Sequence, residues 1–139
     1  MRVWCVGFVL VVLASASQAQ TEEAALTTLA EAGAKYIMAG YQATYVVVPC
    51  VKYRSPQKPN QFQLAKNEVV RIISVDLFND LLSGVVDPAK PKLEAEVVSS
   101  AGSATPFSCG VTAGTFDASF TRYRKEWQRA VVDYSQIQK

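Results

Sequence analysis

Cys50 and Cys109 stand 59 residue steps apart in a chain that contains no histidine. That pair limits the fold more than any other feature. A third cysteine, Cys5, lies in the opening stretch MRVWCVGFVLVVLASASQAQ. There Arg2 precedes an apolar run from Val3 to Ala14, and small residues end at Ser17-Gln18-Ala19. A charge, an apolar run and small residues, in that order, mark a secretory signal peptide. The run is shorter than the ~20 residues that a membrane-crossing helix needs. Residues 1–19 are therefore expected to be a cleaved leader and not a stable membrane anchor. The cut is expected after Ala19, with Ala16 as the less favoured position. Residues 20–139 are expected to form a single globular domain.

Exported chains meet oxidising surroundings, in the periplasm or outside the cell. The two cysteines left after cleavage are then most simply one disulfide. A loop of that length corresponds to about 4 kcal/mol in the chain-entropy picture. Net stabilities are only about 5–15 kcal/mol, so such a bond matters to whether the domain stays folded. A metal site would need more ligands of the right kind, and neither a CxxC pair nor a histidine is present. A catalytic thiol would lack its usual base. Neither a metal nor another cofactor is implied.

Charge excludes a further class. The chain has 14 Lys and Arg, one of them Arg2, against 12 Asp and Glu, so the mature charge is +1. Nucleic-acid binding, which rests on a strong basic excess, is not expected. The charge is unevenly spread: residues 52–71 carry +4, and residues 118–139 carry +3. Pairing within the fold is the first explanation of such blocks. A bipolar surface that orients a partner is the second.

The residue pattern predicts an α+β fold, with a mostly α arrangement as the alternative. From Thr21 to about Ala43, Leu26, Leu29, Gly33, Ile37 and Gly40 share one helical stripe. The glycines and the alanines at 25, 32 and 39 would let a neighbour approach closely. The β-branched run from Thr44 to Tyr53 reads as a strand, with Pro49 favouring an edge or bulge. Phe62 and Leu64 open a second candidate strand. From Asn67 to about Ser83 the apolar residues fit one helix, but the preferred reading is a strand, Val69–Ser74, followed by a short helix capped at Ser74 and stopped at Gly84. The segment VVDPAKPK then reads as a turn-rich connector. Leu93, Ala95 and Val97 alternate with Lys92, Glu94 and Glu96, the pattern of a one-sided strand. Ser99–Pro106 reads as a loop, and Cys109 falls on an extended segment. Phe116, Phe120, Tyr123, Trp127, Val131 and Tyr134 recur at spacings of three and four, which predicts a long amphipathic helix with Thr115 as its N-cap. The expected architecture is an N-terminal helix, a small antiparallel sheet and a C-terminal helix, tied by one disulfide.

Catalytic constellations are sparse. Without histidine, Ser–His–Asp and Cys–His arrangements are excluded. Ser55-Pro56-Gln57-Lys58 matches S-x-x-K, but its companion motifs are missing and it lies in a proline-punctuated loop. Asp76 and Asp80 would share a helix face as a solvated pair. Gly-rich phosphate loops are absent. In TRYRKEWQR, Arg122, Lys125 and Arg129 lie on one helix flank, with Arg124 on another. Such a flank can hold phosphates, lipid headgroups or anionic polysaccharides. An ordinary polar face with a Glu126–Arg129 pair is the plainer explanation. The expectation is a non-enzymatic exported protein acting by contact with a protein partner, as an inhibitor, immunity factor or adaptor. Binding of anionic envelope or membrane components through residues 122–129 is the alternative. A histidine-free enzyme using Asp, Lys or Tyr is a third possibility.

Overall fold

A computed structural model describes the backbone from Trp4 to Lys139 and the side chains from Thr21 onward. It contains five α-helices and, among the described residues, no strand. Helix α1 runs from Trp4 to Thr44, α2 from Gln61 to Val70 and α3 from Val75 to Leu81. Helix α4 runs from Asp87 to Ala101, and α5 from Pro106 to Ile137. The expected cut after Ala19 falls within α1. The side chains of the expected leader lie outside the described residues. Among the described residues, no helix is long and apolar enough to cross a membrane.

Helix α1 is the spine of the molecule, and α5 and α2 pack along it. Leu29, Tyr36 and Ile37 of α1 meet Ala65 and Val69 of α2 and Phe120 and Trp127 of α5 in one core. The small-residue stripe of α1 is an internal packing face. A Cβ on Gly33 would lie 3.2 Å from both Trp127 and Val69. On Gly40 it would lie 2.7 Å from the backbone oxygen of Gln61. Close helix contact thus offsets the lower helix propensity of glycine.

The expected antiparallel sheet is absent, and each of its strands has become something else. Residues 44–53 end α1 and then form a 3₁₀ turn, Val48–Tyr53, with Pro49 in its first positions. A β-branched run becomes a strand only where a neighbour completes its backbone bonds. Here no neighbour exists, because the other candidates are helical. Phe62, Leu64 and Val69 lie in α2, whose N-cap Asn60 accepts from Gln63 N–H. Leu93, Ala95 and Val97 suit a two-residue period, but Ala95 and Ser99 are exposed, so only the four-residue spacing of Leu93, Val97 and Ala101 turns inward. Val97 and Ala101 are buried on α4.

Ser74 does cap α3, accepting from Leu77 N–H. Gly84 does not stop it. The chain passes through a π-helical turn, Leu82–Val86, straight into α4. Asp87 N–H reaches back to the carbonyl of Leu82 in that turn. Pro88 sits where α4 begins, a position at which a missing N–H costs little. Helix α5 begins nine residues before the expected cap at Thr115. Thr105 and Ser108 form a capping box, with Pro106 directly after the cap. Cys109 is therefore helical and not extended.

Candidate functional site

The disulfide forms between Cys50 and Cys109, whose Cα atoms are 5.7 Å apart. It fastens the 3₁₀ turn to the first turns of α5. Two surfaces result, one facing outward and one inward.

The outward surface is apolar. Val48 and Phe107 are each 81% exposed, and Val51 and Val111 are about half exposed. Val48 and Val51 are three apart in the 3₁₀ turn, a spacing that aligns side chains. Phe107 and Val111 are four apart on α5, so they share a face, and each is two residues from Cys109, which turns that face away from the bond and the 3₁₀ turn. No side chain of the 3₁₀ turn is buried. Around Val48 and Val51 the charge in the two disulfide-joined segments has one sign. Residues 45–60 and 102–116 contain no Asp or Glu, whereas Lys52, Arg54 and Lys58 are cationic. Lys52 lies over the Tyr53 ring at 5.1 Å.

The inward surface is a cleft of about 440 Å³ between the end of α1, the segment after it and the start of α5. Tyr45, Val46, Val47, Ala113 and Phe116 supply its apolar walls, and the disulfide lines it as well. Its charged groups are Arg54, Lys58 and Asp117. Lys58 Nζ pairs with Asp117 Oδ1 at 3.0 Å. Gln61 Nε2 donates to the same oxygen at 3.0 Å, so Asp117 is held from two sides. The Arg54 guanidinium has no carboxylate partner among the described residues.

The basic flank of α5 stands apart from both surfaces. Arg122, Lys125 and Arg129 are all exposed. None has an ion-pair partner among the described residues, and the expected Glu126–Arg129 pair does not form. Arg122 lies 4.7 Å from the Tyr123 ring centre. Trp127 is buried, and Tyr123 is half-buried against the core. Arg124, on the other flank, pairs with Glu68 at 2.5 Å.

The remaining candidates separate. Asp76 and Asp80 are both exposed on α3 and do not line this cleft. Ser55 and Lys58 line the cleft, but Lys58 is engaged by Asp117 and not by Ser55. No group of three or more potential metal ligands occurs among the described residues. Sequence reasoning located the disulfide and the cationic flank but missed the cleft. The absence of acidic residues from both disulfide-joined segments was the signal that could have drawn attention to it. No family model, curated protein or solved structure matches the chain.

Proposed function

We propose that this is an exported, non-catalytic accessory protein that works by docking a protein partner at its disulfide-tied end. The supporting observation is the 3₁₀ turn itself, whose Val48 and Val51 are exposed large apolar side chains three residues apart and whose Cys50 is bonded to α5. Apolar side chains grouped on a surface mark interaction sites more often than scattered ones do. The bond holds the patch in shape before a partner arrives, which lowers the ordering cost of binding. The cationic surroundings select a partner whose apolar contact is bordered by Asp or Glu. An oxidising compartment, periplasmic or extracellular, suits the disulfide.

A photo-crosslinking residue in place of Val51 tests this in the native exported fraction. One discrete protein adduct is expected, absent when the probe replaces Val132 and lost on adding Val48→Glu. Identical adducts from both probe positions, or none from position 51, would remove the proposal.

A second function is supported by the unpaired cations Arg122, Lys125 and Arg129. In this proposal they bind anionic envelope or membrane components. Binding to anionic vesicles, but not zwitterionic ones, is expected to weaken with salt and with alanine at the three positions. Binding indifferent to both would eliminate it.

A further inference from the structure

The cleft behind the disulfide has the size of a small-molecule site, which typically runs from roughly 300 to 1,000 Å³. Its walls are apolar on the side of Val47 and Phe116. Lys58 and Asp117 neutralise one another at 3.0 Å. Arg54 is then the uncompensated charge in the lining. Nothing in residues 45–60 or 102–116 supplies a carboxylate to answer it.

Gly110 adds an independent observation. It lines the cleft from within α5, and a Cβ built there meets nothing within 4 Å. Packing of the helix therefore does not demand glycine at this position, although glycine weakens a helix. What the missing side chain leaves is open room beside the disulfide.

We propose that this cleft binds a small amphiphilic anion, an acyl or aryl carboxylate. Its apolar body lies against Val46, Val47, Ala113 and Phe116, and its carboxylate is received by Arg54. Arginine suits that role because its planar guanidinium can meet both carboxylate oxygens at once. A cationic amphiphile would face Arg54 without a counter-charge, because Asp117 is already held by Lys58 and Gln61. A neutral one would leave the guanidinium without its ionic partner.

The test uses the oxidised protein, labelled with ¹⁵N, and three ten-carbon probes kept below their micelle concentrations: decanoate, decanol and decyltrimethylammonium. Decanoate is expected to move the amide signals of Val47, Ala113 and Phe116 saturably. It should bind about ten-fold or more tightly than decanol, the scale of one charge-assisted contact. The ammonium probe should not compete. Arg54→Gln, at an exposed position, should bring decanoate down to the affinity of decanol. Gly110→Leu should abolish binding of both while the thermal midpoint holds or rises, which separates occlusion from misfolding. The proposal is overturned if decanoate gives no saturable shift or binds no better than decanol. It is also overturned if Arg54→Gln changes nothing, or if the shifts fall only on Val48 and Val51. Those last residues belong to the docking patch, so the two proposals fail separately.

Discussion

Tyr36 donates its phenolic hydrogen to Glu68 Oε2 at 2.7 Å, joining α1 to α2 where the ring is wholly buried. Arg124 of α5 reaches the same carboxylate, with Nη2 2.5 Å from Oε1. One carboxylate thus ties the three helices that build the core. Tyr36→Phe removes a bond to a charged acceptor and should destabilise the protein by about 1–2 kcal/mol. Arg124→Ala should cost less, because its side chain is 41% exposed and water screens the pair. Urea midpoints of the two variants measure the order. A larger loss from Arg124→Ala would show that the ion pair, and not the buried phenol, holds the junction.

The tyrosine bonds also set how the protein responds to alkali. Tyr41 donates to Glu94 of α4. That bond, then burial, pushes its pKa from the ordinary 10.0 up to about 12. Tyr36 moves in the same direction, chiefly through burial and then through Glu68. A folded pKa above the unfolded one means that the folded state keeps its proton longer. The resulting stability is fully present below pH 10 and is lost as pH rises toward 12. Urea midpoints taken across that window should fall for the wild type and fall less steeply for Tyr41→Phe. Equal slopes would mean that Tyr41 titrates normally in the folded protein.

Gly40 meets backbone, whereas Gly33 meets side chains, and this difference predicts opposite tolerances. A methyl on Gly40 would press on the Gln61 carbonyl at 2.7 Å, so the start of α2 would have to move. Overpacking of that kind costs about 1–3 kcal/mol. A methyl on Gly33 would meet Trp127 and Val69 side chains at 3.2 Å, and both can yield slightly. There the gain in helix propensity, up to ~1 kcal/mol, offsets much of the strain. Gly40→Ala should therefore lower the thermal midpoint clearly, and Gly33→Ala should leave it close to the wild type.

The two outer helices were legible because their apolar positions keep one period for many turns. Leu29, Gly33, Ile37 and Gly40 admit no strand pattern, and neither do Phe116, Phe120, Tyr123 and Trp127. The middle of the chain was misread for physical reasons that differ by segment. Leu93, Val97 and Ala101 satisfy both periods, and only the exposure of Ala95 and Ser99, which the sequence does not display, separates them. Pro88 marks a helix start and not a loop, and the π-helical turn before it leaves no signal in the sequence. The Thr44–Tyr53 run was read from β propensity alone, which is decided by neighbours. Thr105 was passed over as a cap because SSAGSATP looks like a loop throughout. The disulfide survived all of this, since it depended on counting cysteines and not on assigning their elements. The cleft did not, because it is made by segments that are far apart in the sequence and meet only in the fold.

The disulfide should hold the binding end more than the helical core. Among the residues of the 3₁₀ turn, only Cys50 is covalently fixed to α5, and no side chain of the turn is buried. The core of α1, α2 and α5 is packed by residues outside that turn, such as Tyr36, Val69 and Trp127. A Cys50→Ser/Cys109→Ser variant should lose about 2–4 kcal/mol against urea. Its helical circular dichroism in buffer should nonetheless match the wild type. Trypsin should cut it at Lys52 and Arg54 well before Lys35, which lies inside α1, whereas the oxidised protein resists at all three. Local opening of this kind exposes a segment without unfolding the whole. If helix content fell together with the new cuts, the bond would be supporting the entire fold. The apolar patch and the cleft would then be consequences of a global staple and not a locally held site.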